Sequence, residues 1–231
     1  MTELAPELAT QNTTEFETEY SDYCDTFGVP DRIELMLCDI NAVLRGKWLP
    51  GDQVDKIVNG SVRLPMSTYA PNILGIEVEK TGLGIAVGDP DGFIVPVAGS
   101  LMPVPWATGN VAQVLVEMND DDGNMSNLST RQHLKNMLDR FAALGLRPVV
   151  ATELEFYVVK TRDDKSDPPE PPDNLPDAQN YDLDVLNQSE AILTDILDGA
   201  KAQGLATDTL IAEYGPGQFE VNFHHTADVL G

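Results

Sequence analysis

A chain of 231 residues with 42% hydrophobic side chains has room for one or two globular domains and enough apolar surface to bury a core. Its 38 acidic against 14 basic residues give a formal charge of −24, which excludes the Lys/Arg-rich surface that nucleic acid requires and suits either a high-salt habitat or an ordinary acidic protein. No apolar run is long enough to span a bilayer and no basic-then-apolar leader opens the chain, so a cytoplasmic protein without a membrane partner is expected, with Cys24 and Cys38 as free thiols.

Residues 1–31 carry eight acidic side chains and no Lys or Arg. The first dozen are expected to be disordered, and Glu15 to Phe27 to form a short amphipathic helix on the stripe Phe16, Tyr20, Tyr23 and Phe27, ended by Gly28-Val-Pro30. From Arg32 the pattern turns to strands. Ile33–Cys38 and Ala42–Trp48 flank Asp39-Ile-Asn-Ala, whose Asp and Asn suit a reversal, so a hairpin is predicted. Arg45 and Lys47 alternate along its second strand, as basic residues do on an edge that guards against aggregation. Gly88-Asp-Pro-Asp-Gly92 reads as a turn, because the rest of a calcium loop is missing. Pro96 to Pro105 reads as loop and Asn110 to Met118 as strand, so residues 32–119 make a small mixed-sheet domain.

Asp120-Asp-Asp-Gly123 marks the predicted boundary, and residues 124–231 follow as a second domain. Ser129 caps a helix from Thr130 to Leu144, with Leu134, Leu138, Phe141 and Leu144 at helical spacing and Gly145 as the stop. His133 in this helix has no companion at ligand spacing and reads as a surface residue. Val149–Val159 is a run of strand formers carrying Glu153 and Glu155 on one face, roughly 6.5–7 Å apart along the strand. Lys160 to Asn180 is polar and holds five prolines, which predicts an exposed loop. A helix over Asp184–Gln203 then leads to a strand from Thr209 to Tyr214.

The last pattern is the most informative. In Gln218-Phe-Glu-Val-Asn-Phe223 polar and apolar residues alternate, so Glu220 shares a face with Gln218 and Asn222 while Phe219, Val221 and Phe223 face the packing. Gly215-Pro-Gly217 supplies the turn that brings Glu213 near Glu220. A Glu-x-Glu on a strand is ordinarily just a solvated sheet face. Two such carboxylate pairs meeting in one sheet repel each other unless a cation intervenes, and hard oxygen donors select Mg²⁺ or Mn²⁺. Glu153, Glu155, Glu213 and Glu220 are therefore the candidate metal ligands. His224 and His225 are adjacent and point to opposite faces, so they do not share an ion.

Glu153-Leu-Glu-Phe-Tyr followed by Glu213-x-Gly-Pro-Gly-Gln-Phe-Glu-Val-Asn-Phe resembles the metal-binding half of the glutamine synthetase catalytic domain, and most closely the branch that includes gamma-glutamylpolyamine synthetases. Asp39–Pro50, Gly88–Gly92, Pro103–Trp106 and the Arg131 helix stand in the matching order, so the resemblance covers about residues 30 to 231. It implies an α+β chain: an N-terminal β-grasp domain, which in the family helps close a neighbouring subunit's active site, followed by the first part of the catalytic domain, an antiparallel sheet with helices. It also implies an ATP-dependent ligase. ATP phosphorylates the side-chain carboxylate of glutamate, and ammonia or an organic amine then displaces phosphate to leave a gamma-glutamyl amide.

Carried across residue by residue, Glu155, Glu213 and Glu220 match ligands of the metal nearest glutamate and the amine, and Glu153 matches a ligand of the metal that orients the ATP phosphates. The family's remaining ligands, its substrate-clamping arginines and its Phe-Asp-Gly-Ser-Ser signature have no counterpart in these residues; the last absence favours an amine larger than ammonia. Stacked rings of subunits, hence a homo-oligomer, are implied for the full family form. The chain by itself is expected to be inactive. A non-catalytic module that joins full-length homologues through its β-grasp domain is the alternative.

Overall fold

The computed structural model describes residues 4–120, 122–173 and 175–231. Its contacts divide the chain into two compact units, Met1–Arg147 with Leu230–Gly231, and Pro148–Val229.

The first unit opens with helix α1, Leu4–Phe27, which begins well before Glu15, so the expected disordered leader is helical from Leu4 on, and its residues 1–3 lie outside the described residues. Leu, Ala and Glu are good helix formers, and Pro6 falls in the first turn, where backbone N–H groups have no intrahelical partner to lose. Phe16 and Tyr23 of the predicted stripe are buried, while Phe27 remains exposed. Strands β1 (Arg32–Cys38) and β2 (Leu44–Pro50) form the expected hairpin, with Leu35 opposite Lys47. After a short helix α2 (Asp55–Val58) come β3 (Arg63–Pro65), β4 (Asp91–Pro96), β5 (Met102–Pro103) and β6 (Val111–Asn119). The sheet order is β2-β1-β6-β4-β3 with β5 beside β6; β1 and β6 run parallel and the other pairs antiparallel.

Three of these strands were not expected from the sequence, and β3 is only three residues long. β4 is enclosed by Gly and Pro breakers that hide its short apolar run, and β5 lies inside the stretch read as loop. Alternation in β1 and β6 sends Ile33, Leu35, Leu37, Ala112, Val114, Val116 and Met118 into one core with Phe16 and Tyr23. The Tyr23 hydroxyl donates to Asn110 Oδ1 at 2.9 Å, and the Glu19 carboxylate takes the N–H groups of Gly99 and Leu101 at 2.9 and 2.7 Å. In the predicted linker, Asp120 Oδ1 accepts from the N–H of Asn124 at 2.8 Å. Helix α3, Thr130–Ala143, starts as predicted, with the Ser129 side chain accepting from Gln132 N at 3.0 Å. Ser129 also donates to Glu117 on β6, which holds α3 in the first unit.

The second unit is a three-stranded antiparallel sheet, β7 (Glu153–Tyr157), β9 (Gln218–Phe223) and β8 (Thr207–Ala212), in the order β7-β9-β8. The single helix expected over Asp184–Gln203 is two, α4 (Leu183–Gln188) and α5 (Glu190–Ala202), broken at Ser189 after the weak helix former Asn187. Asp182 caps α4 by accepting from Asp184 N. Val185, Leu193, Ala212 and Phe219 form the core, with Phe156, Ile196 and Leu210 packed against it. β7 is shorter than the apolar run that contains it, because only Glu153–Tyr157 has a partner strand along its length; upstream, Val150 makes a lone bridge to Thr226.

Candidate metal centre

Register gathers the four carboxylates on one face. Glu155 lies directly opposite Glu220, Glu153 opposite Asn222, and Ile211 of β8 opposite Glu220 on its other side. Glu213 follows the end of β8, with its N–H donating to Gln218 O at 2.9 Å, so it continues the same face. The opposite face carries Phe219 and Val221 into the core.

The four do not share one environment. Glu153 and Glu155 are exposed on the edge strand, Glu213 is half-buried, and Glu220 on the central strand is only 7% exposed. Burial pushes the Glu220 carboxyl up from its ordinary range; Asn222 pulls it back, and the charges of Glu153, Glu213 and Glu155 push it further up. A buried acid facing three like charges is the chemistry that a hard divalent cation relieves, and no Lys or Arg stands at these register positions.

As the side chains stand, no group of three His, Cys, Asp or Glu among the described residues is gathered tightly enough to hold an ion. Gln218 Nε2 donates to Glu155 Oε2 at 2.8 Å, and the Glu213 carboxylate accepts from Tyr214 N at 3.2 Å. The donor set fits Mg²⁺ or Mn²⁺ in charge and atom type, and closing it round an ion requires carboxylates to reorient. Fixing an exposed glutamate such as Glu153 or Glu155 costs about 1–2 kcal/mol of side-chain entropy.

The turn between β8 and β9 is packed too closely for side chains at its glycines. A Cβ on Gly215 would stand 2.7 Å from Tyr157 Oη, and one on Gly217, whose φ is +77°, would stand 2.6 Å from Val158 O. Sequence reasoning missed the residue beneath this turn, Gln179, which is 2% exposed and bonded to it through both ends of its amide. Its only signal was a polar residue at the end of a proline-rich loop. His224 lies 3.8 Å from Asp208 on an exposed surface, and His133 is exposed on α3. Arg45, read as an edge charge, instead pairs with buried Asp39 at 3.0 Å.

The fold is a mixed α/β one, shared with solved structures. Residues 127–230 match the family model "Glutamine synthetase, catalytic domain", which places that stretch in the glutamine synthetase family. The chain is 36% identical over 221 residues to the gamma-glutamylputrescine synthetase of Escherichia coli (strain K12), covering 93% of this chain and 47% of that protein. To the glutamine synthetase of Pyrococcus abyssi it is 26% identical over 197 residues, covering 85% and 40%. A solved GmaS/ADP complex has the same fold at a TM-score of 0.68 and 21% identity, covering 98% of this chain and 45% of that one. The chain thus spans about half the length of the curated relatives it matches.

Proposed function

We propose that this chain is the β-grasp domain, residues 32–119, and the first part of the catalytic domain, residues 124–231, of an ATP-dependent ligase that joins glutamate to ammonia or an organic amine through a gamma-glutamyl phosphate. The relative named for putrescine at 36% identity favours an organic diamine as the acceptor. The observation that carries the reading is Glu155 facing Glu220 in register, with Glu153 and Glu213 on the same face and Glu220 buried among them.

In this reading Glu155, Glu213 and Glu220 hold the ion nearest glutamate and the amine, and Glu153 contributes to the ion that orients ATP. A divalent ion there supplies charge neutralisation for phosphate oxygens. The protein's own part is to fix the carboxylates on a sheet, which places donors more firmly than a loop does. With no cationic side chain at these register positions to clamp phosphate, the chain by itself binds metal without turning over. The working form is a cytoplasmic homo-oligomer.

The test is Mn²⁺ titration by calorimetry on the chain and on its Glu155→Gln and Glu220→Gln variants. Saturable binding that is weakened at least tenfold in each variant is expected. A folded wild-type chain that binds no Mn²⁺, or variants that bind as it does, would overturn the metal reading.

A further inference from the structure

We infer that Gln179 is a positioning residue for this centre: its buried side-chain amide clamps the turn that places Glu213 beside Glu220. The inference rests on the metal reading above.

Gln179 lies in the segment before α4, far in sequence from either carboxylate, yet all its amide capacity is spent on one turn. Its Nε2 donates to Gln218 O at 2.8 Å and to Glu213 O at 3.2 Å, while its Oε1 accepts from Gly217 N at 2.7 Å. Its main-chain N–H adds a fourth link, to Tyr214 O at 3.1 Å. Three main-chain groups of the turn, Glu213 O, Gly217 N and Gln218 O, are thus bonded to a single side chain, and a buried amide engaged through both its nitrogen and its oxygen does not swing.

The clamp reaches the carboxylates through the main chain at both ends of the turn. Glu213 is held by its own carbonyl, one bond from its Cα, and Gln218 by the carbonyl two residues before Glu220. The Gln218 side chain is anchored separately from the clamp: its Oε1 accepts from Tyr157 Oη at 3.0 Å and from Gly215 N at 2.9 Å, and its Nε2 donates to Glu155 Oε2 at 2.8 Å.

A second observation points the same way. Asn180 and Tyr181, directly after Gln179, have φ of +38° and +65°, and neither is glycine. Two successive left-handed residues are strained, and such strain persists only where surrounding bonds over-determine it, most often at functional sites. Here those bonds include Tyr181 N to Ala212 O at 3.0 Å, which ties the strained segment to the end of β8, and Asp182 N to Gln179 O at 2.9 Å, which closes the segment on itself.

The test is a cycle of Mn²⁺ affinities. Gln179→Met keeps the volume and removes the amide; it is expected to bind Mn²⁺ about tenfold more weakly with its circular dichroism unchanged. In that background Glu213→Gln is expected to cause little further loss, because Glu213 is already misplaced, whereas Glu155→Gln still weakens binding as it does in the wild type. A prop that merely stabilises the sheet would leave both second substitutions with their wild-type effect, and that result overturns the inference. So does a Gln179→Met chain that binds as the wild type. Should the methionine variant fail to fold, Gln179→Asn serves in the same cycle, since its shorter arm keeps the amide but cannot reach both Gln218 O and Gly217 N. A folded wild-type chain without Mn²⁺ affinity removes the metal reading and this inference together; affinity that is indifferent to Gln179 removes this inference alone.

Discussion

Asp39 shows how much one side chain can settle in this fold. It sits at the end of β1 with its carboxylate buried, its Oδ1 accepting from Asn41 N at 2.7 Å and Val43 N at 2.9 Å, and its Oδ2 from Arg45 Nε at 3.0 Å. Burial alone would raise its pKa, but the Val43 N–H, Arg45 and the Asn41 N–H outweigh it and hold the group below the ordinary carboxylate range. A lowered folded-state value contributes stability that is present above the unfolded pKa and is lost as pH falls through the folded one. Asp39→Asn is therefore expected to cost about 2 kcal/mol at pH 7, the Arg45 end being partly solvated, and the deficit to shrink below about pH 4. Urea midpoints at pH 7 and pH 3 measure this; an equal deficit at both would sink the account. The same bonds shape the hairpin reversal, where Ala42 takes a φ of +59°.

At the scale of elements, β9 is unusual in placing a carboxylate on the buried central strand of a small sheet. The raised pKa of Glu220 means that its favourable contribution is complete below the unfolded value and disappears as pH rises through the folded one. Without divalent metal, Glu220→Gln is accordingly expected to melt higher than the wild type at pH 8, by a few degrees, and to match it near pH 4. Mn²⁺ at a concentration that saturates the wild type is expected to reverse the order at pH 8, since the tighter-binding wild type gains more of the bound ion's stabilisation than the variant. Calorimetric scans at the two pH values decide it, and a variant that melts lower than the metal-free wild type at pH 8 counts against the buried-charge argument.

This strand also marks what the sequence could disclose. Alternation in Gln218–Phe223 was enough to put Glu220 and its partners on one face, because a period of two allows no other assignment once Phe219 and Val221 are inside. It could not disclose that the face is half dry, since burial of Glu220 depends on strands on both sides of β9. The break at Ser189 was hidden because apolar spacing runs through it, and β4 because its ends are glycine and proline. Gln179 was hidden for a different reason: its role lies in bonds to a turn some 35 residues away, and no local period encodes those.

Across the whole molecule the governing quantity is charge. With 38 acidic against 14 basic side chains, most carboxylates have no cation to face, and their mutual repulsion opposes both compact units. The opposition weighs more on the second unit, whose main buried cluster holds four residues against sixteen in the first among the described residues. Salt screens such repulsion over a Debye length that falls from about 10 Å at 0.1 M to about 3 Å at 1 M. The thermal midpoint of metal-free chain is therefore expected to rise by several degrees from 0.05 to 1 M KCl and then to level off, as screening has little left to remove. NaCl is expected to give the same curve, because screening depends on ionic strength rather than on the identity of the cation. A midpoint that keeps climbing beyond 1 M would instead mean that cations bind specifically along the acidic surface, as suits a protein built for high salt. A midpoint indifferent to salt would mean that the excess carboxylates are spread too widely to repel one another, and would remove charge as the limit on stability.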